Sequence, residues 1–222
     1  PMKIASPYFS EVIEIPEGTA FELVLENQNL FRSFLEDMRF QHEGGDGKTV
    51  LSVDNTPVTI SKNVDILDNF APFDINTKTM LSKISSFMEK TAVDEEHLLQ
   101  TSALIAEIEN YMYELSFSFP FRTECKKLNI SSVIKAASVF IADDGKNSAE
   151  TVVNYMTALT ELDKSRLFIT VNMRCFFTDG EITEIVKEAE TRQLRLLFLE
   201  NTARTRINGV KRLTVDSDLC EF

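Results

Sequence analysis

Two unbroken apolar runs, Phe168-Ile169-Thr170-Val171 and Leu196-Leu197-Phe198-Leu199, constrain the fold more than any other feature of the chain. A strand with one wet face alternates apolar and polar residues. A run without alternation is buried on both faces, as in a parallel sheet. Between the runs, Thr178-Asp179 opens a helical stretch that reaches about Thr191. Strand, helix and strand in that order predict a right-handed βαβ unit, with strands over Leu167–Val171 and Leu194–Leu199. The fold class is therefore α/β.

The first quarter also reads as strands: Met2–Ala5, Val12–Ile15 and Phe21–Leu25, broken at Ser6-Pro7 and Pro16-Glu17-Gly18. Leu30, Phe31, Phe34, Leu35 and Met38 then recur at helical spacing. Gly44-Gly45-Asp46-Gly47 ends that helix, and Val50–Val53 reads as a strand. The middle of the chain is helical. Met80, Leu81, Ile84, Phe87 and Met88 mark one face over Asn76–Lys90. A second helix is expected over Asp94–Leu115, with Asp94 as its N-cap, and the two together predict an antiparallel hairpin. Helices over Ile130–Val139 and Ser148–Leu162 follow. Strands at both ends thus bracket a helical insertion, which divides the chain at 1–62, 63–140 and 141–222.

Cys125, Cys175 and Cys220 are odd in number and far apart, and the only histidines are His42 and His97. This pattern argues for reduced thiols, against a disulfide framework or structural zinc, and assigns no metal ligand. No apolar run is long enough for a membrane helix, and the N-terminus reads as carrying no signal peptide. The expected location is the cytoplasm, with no membrane partner.

Gly44-Gly45-Asp46-Gly47-Lys48-Thr49 ends in the GK[ST] of a phosphate loop. The full pattern needs a glycine where His42 stands, and it needs a strand before it and a helix after it. Here the order is reversed, so the segment reads as a turn. Glu200, at the end of a buried strand, could mimic a magnesium-holding acid but reads as a polar strand end. The acidic groups Asp94-Glu95-Glu96, Asp143-Asp144 and Asp179 with Glu181 and Glu184 do not follow a calcium-loop pattern.

The formal charge of −12 argues against a simple basic nucleic-acid binder. Its distribution alters that reading. Residues 1–120 carry 8 basic and 20 acidic side chains, whereas residues 121–222 carry 15 of each. In the second part the cations cluster: Arg122, Lys126 and Lys127; Arg192 and Arg195; Arg204, Arg206, Lys211 and Arg212. Clusters converging on one surface would track phosphates by counterion release.

Several segments resemble the Csn-two family, small DNA-end-binding proteins of type II-A CRISPR loci. Asp65-Ile66-Leu67 with Phe73-Asp74-Ile75-Asn76 is similar to the family's "DILGYDVNS", and Val133-Ile134-Lys135-Ala136-Ala137 to "LIKALG". Leu167–Asn172 followed by Phe177–Ile182 resembles "LLxFVN…YLTxDEL", and Leu196–Glu200 resembles "VLFLE". The resemblance implies a RecA-like α/β head with a degenerate phosphate loop and an inserted α-helical leg. It further implies a homotetrameric ring around double-stranded DNA, loading at ends and supporting spacer acquisition beside the adaptation integrase and the type II effector nuclease. Such a protein is not an enzyme.

On that resemblance Lys135 is the first DNA-contact candidate. Arg122, Lys126 and Lys127 come next, and Arg192, Arg195, Arg204 and Arg206 follow from clustering. Family members bind calcium through an acidic stretch after the long leg helix, like "ENELDLEYDE". The matching Tyr113–Arg122 keeps Glu114 and, further on, Glu124, so aromatic packing and basic residues are expected to replace the metal. The rival readings are a RecA-like nucleotidase using Lys48 and Glu200, and a structural interaction subunit without DNA affinity.

Overall fold

Every residue of the two apolar runs is buried, and the strands they form pair in parallel. The computed structural model of the protein describes residues 1–142, 148–163 and 166–222; the Asp143-Asp144 pair lies outside them. In chain order the elements begin β1 (Met2–Ala5), β2 (Ile13–Ile15), β3 (Thr19–Leu25), α1 (Gln28–His42), β4 (Val50–Val53), β5 (Thr56–Val58), α2 (Ile60–Asn63) and β6 (Val64–Leu67). They continue with α3 (Lys78–Ala92), α4 (Leu98–Ser116), α5 (Ile130–Ala137), α6 (Ser148–Leu162), β7 (Leu167–Val171), α7 (Asp179–Thr191), β8 (Arg195–Glu200) and β9 (Lys211–Val215).

The chain forms two compact units, Pro1–Ile75 with Asp144–Phe222, and Asn76–Asp143. The boundary expected at 62 moves to 75 because β6 pairs in parallel with β7 and belongs to the first unit's sheet. That sheet has five parallel strands in the order β6-β7-β8-β3-β9. A second, antiparallel sheet runs β2-β1-β4-β5. One core joins Met2 and Ile4 of β1, Leu23 and Leu25 of β3, Phe34 and Met38 of α1, and Leu197 and Leu199 of β8. The alternate residues Phe168, Leu196 and Phe198 are buried as well, so the sheet is covered on both faces. α7 packs on β3, and α6 packs on α7.

α7 starts where its sequence says it should. The Thr178 hydroxyl accepts the Glu181 amide at 3.3 Å, and the Glu181 carboxylate accepts the Thr178 amide at 2.8 Å. Two amides that a helix start leaves unpaired are thereby satisfied.

In the second unit α3 packs against α5, with Met80 and Ile134 buried, instead of forming the expected hairpin with α4. α4 begins at Leu98 rather than Asp94. The Asp94 carboxylate takes the amides of Glu96 (3.0 Å) and His97 (2.9 Å), closing a turn of its own before the helix. α5 stops at Ala137 because Ser138 adopts a left-handed φ of 50°. No residue of α4 is buried, although Leu104, Ile105, Ile108, Tyr111, Met112 and Leu115 share one side of it. Among the described residues no helix is long and apolar enough to cross a membrane.

Replacing the cap, Thr178→Ala, should cost about 1 kcal/mol. A urea titration should show a lower midpoint with an unchanged slope.

Candidate nucleic-acid interface

The first unit holds four of the eight DNA-contact candidates, and it sets them at opposite ends of β8. Arg192, just past α7, is exposed; its Nε donates to Glu188 at 2.7 Å and a terminal nitrogen to the Thr157 hydroxyl at 3.3 Å. Arg195 is the first residue of β8, is buried, and donates to Glu17 at 2.6 Å, so its charge is already answered inside the protein. Arg204 and Arg206 follow the other end of the strand, about 16 Å away at 3.3 Å per residue. Both are exposed. A terminal nitrogen of Arg204 lies 3.3 Å from the Cys175 sulfur, and Arg206 has no partner among the described residues.

The other four lie in the second unit. Lys135 is exposed in the last turn of α5. Arg122 and Glu124 form an exposed ion pair at 2.7 Å, which solvent screens and which contributes little. Lys126 and Lys127 are exposed and have no ion-pair partner among the described residues. With Ile108, Met112, Tyr113 and Cys125 they line a groove of about 730 Å³ between α4 and residues 123–128. The amide of Leu128 donates to Glu109 of α4 at 2.8 Å and holds that segment in place.

From the middle of β3 towards the C-terminal ends of the parallel strands, the side where open α/β sheets bind ligands, the first unit holds a buried ionic network. Glu22 in β3 is 1% exposed. One of its oxygens accepts from Arg174 at 2.7 Å and the other from Arg212 at 2.6 Å. Arg174, just after β7, also donates to Asp179 (3.0 Å) and to the Thr205 carbonyl (2.8 Å). Burial works against its charge, but the hydrogen bonds to Glu22 and Asp179 outweigh it and raise its pKa. Glu200 accepts the Arg174 amide at 3.1 Å. Burial above all pushes its pKa up to about 7, and the Glu22 charge adds to this against the pull of Arg174.

The GK turn is spoken for internally. The Asp37 carboxylate accepts the amides of Lys48 (2.8 Å) and Thr49 (2.9 Å), two of the groups a phosphate loop would offer its ligand. A Cβ on Gly47 would collide with the same carboxylate, so the glycine serves a close approach to Asp37. Burial raises the pKa of Asp37, yet the hydrogen bonds from Thr49, Lys48 and Gln41 prevail and hold it below the ordinary range. At the true strand-to-helix junction, between β3 and α1, there is no glycine. There Asn27 caps the helix by accepting the amides of Asn29 and Leu30, both at 3.1 Å.

The described stretch Tyr113–Arg122 offers few of the six to eight oxygens that calcium takes. Of the two carboxylates kept near Tyr113–Arg122, Glu124 is engaged by Arg122. Tyr113 instead meets Phe117 edge-on at 4.7 Å, and Phe119 meets Phe121 at 5.9 Å. Among the described residues no group of three or more His, Cys, Asp or Glu could hold a metal.

Sequence reasoning missed Glu22, Arg174 and Asp37. An acid inside the apolar run Phe21-Glu22-Leu23-Val24-Leu25 was the signal for the first. Arg174 and Asp37 carry no such local sign, because their partners are distant in sequence.

The sequence matches the family described as CRISPR-associated protein (Cas_Csn2) over residues 41–219. Among solved structures, the crystal structure of Stu0660 of Streptococcus thermophilus is similar, with a TM-score of 0.58 and 12% identity over 89% of this chain and 68% of that one. At this identity the likeness is one of fold, and the shared fold is mixed α/β. The ADP conformation of MJ1267, an ATP-binding cassette of an ABC transporter, aligns with a TM-score of 0.44 and 10% identity over 91% and 82% of the two chains.

Two measurements follow from this geometry. Ionising Glu200 costs more in the folded chain than in the unfolded one, so stability is highest below pH 4.5 for this group and falls as pH rises towards 7. Glu200→Gln, which keeps an acceptor for the Arg174 amide, should remove that slope and stabilise the protein at pH 8 by roughly 1–3 kcal/mol in chemical denaturation. Calcium titrated into the protein in a calorimeter should give no tight, stoichiometric heat.

Proposed function

The chain belongs to the Cas_Csn2 family of CRISPR-associated proteins, and from that membership we propose a non-enzymatic protein that binds double-stranded DNA at free ends without reading sequence. On this reading it supports spacer acquisition. The family match, which spans parts of both units, is the observation that carries it. The exposed cations Lys126, Lys127, Lys135 and Arg206 support it, because unengaged lysines and arginines neutralise phosphates without recognising bases. Arg122, Arg192 and Arg204 are exposed candidates with local partners, and Arg195 is the buried one.

The first unit corresponds in this proposal to a RecA-like head whose phosphate loop has degenerated, and the second to a helical leg. The working form is a homotetrameric ring with a basic lumen. α4 supports self-association, since none of its residues is fully buried and Leu104, Tyr111, Met112 and Leu115 on its apolar side are exposed. The protein acts in the cytoplasm beside the adaptation integrase and the type II effector nuclease. The nucleotidase alternative has no support from Lys48, whose amide is held by Asp37. The unburied stripe of α4 also suits a structural interaction subunit without DNA affinity.

A gel-shift series with linear and covalently closed circular duplexes over a range of salt separates these readings. The expected result is end-dependent binding whose affinity falls steeply with salt, and a slope about 0.9 shallower for Lys135→Ala. No binding to linear duplex at low salt would overturn the proposal and leave the structural subunit.

A further inference from the structure

Residues 201–210 connect β8 to β9 without regular structure, yet their backbone is fastened at successive odd positions. The Asn201 amide donates to the Asn172 side chain at 3.0 Å, and the Ala203 amide to Glu26 at 3.2 Å. The Thr205 carbonyl accepts from two guanidiniums, Arg174 at 2.8 Å and Arg212 at 3.3 Å. Ile207 is buried. The exposed Arg204 and Arg206 stand between these anchors.

The anchor at Thr205 belongs to the buried network. Arg174 and Arg212 are themselves held by the two oxygens of Glu22, whose side chain is 1% exposed. Guanidiniums fixed in this way have lost their side-chain freedom already, so gripping the Thr205 carbonyl costs little further entropy. A loop fixed before a ligand arrives does not lose that ordering entropy on binding. Two cations between rigid anchors suit a ligand with regularly spaced negative charge, and a nucleic-acid strand carries one every ~3.4 Å of axis.

We propose that Glu22, Arg174 and Arg212 are positioning residues for a phosphate-contacting loop, in which Arg204 and Arg206 make the contacts. This rests on the duplex-binding function proposed above. The buried network has no contact with the ligand; it acts through the backbone of Thr205. It also accounts for a buried charge cluster at the end of the sheet where no nucleotide site is built.

The test measures binding of the whole protein to linear duplex across a salt series, with each variant's thermal melt recorded alongside. Arg204→Ala with Arg206→Ala should flatten the salt slope by about 2, without altering the melt. Arg212→Gln should lower the melting temperature and weaken binding several-fold at the same time. In the Arg204→Ala/Arg206→Ala background, Arg212→Gln should lower the melt as before but leave binding unchanged. A role confined to stability would not produce that non-additivity.

If Arg212→Gln does not fold, Arg212→Lys carries the test, because it keeps the charge at Glu22 and loses the fork that reaches Thr205. Wild-type binding with an unchanged slope in the Arg204→Ala/Arg206→Ala variant overturns this inference and leaves the duplex reading standing. Additive effects of Arg212→Gln on binding overturn the positioning role. A wild-type protein that does not bind linear duplex overturns the duplex reading, and this inference with it.

Discussion

One carboxylate, Glu22, lies in β3 of the parallel sheet, between β8 and β9, and each of its oxygens takes a guanidinium. Through Arg174 it reaches the segment after β7, the start of α7 at Asp179, and the loop at Thr205. Through Arg212 it reaches β9. A buried charge of this kind is no gain over an apolar side chain of equal size, since desolvating the ions costs about what their attraction returns. Losing one partner, however, strands the others without water. The end of the sheet where α/β proteins place ligands is therefore locked by internal ions.

The fold was legible where burial imposed a local pattern. The runs of β7 and β8 announced themselves because both faces are covered, and α7 because Thr178-Asp179 marks its start. β6 was not legible as a strand. Its Asp65 looks like a turn residue, but it is buried and accepts the hydroxyl of Tyr155, 90 residues away, at 2.6 Å. β9 was hidden in the same way: Lys211 and Arg212 read as a basic cluster because nothing nearby shows that Glu22 neutralises Arg212.

The candidate site was legible in composition and not in arrangement. Clustering along the sequence treats Arg192, Arg195, Arg204 and Arg206 alike. The fold distinguishes them, by burying Arg195 against Glu17 and by putting the length of β8 between the pairs. The GK turn could be discounted from the order of its flanking elements. That Asp37 occupies its amides could not be foreseen, since a carboxylate eleven residues upstream gives no sign of where it points.

α4 has a consequence for how the chain behaves over time. A helix of 19 residues with no fully buried side chain depends largely on local hydrogen bonds and intrinsic propensity, helped by the segment that Glu109 holds against it. Packing, the main source of helix stability in proteins, contributes little to it. Its amides should therefore exchange with solvent far sooner than those of β3, β7 and β8, which open only when the sheet itself does. Anything that came to cover Leu104, Ile108 and Leu115 would slow the exchange of α4 and leave that of the sheet as it is.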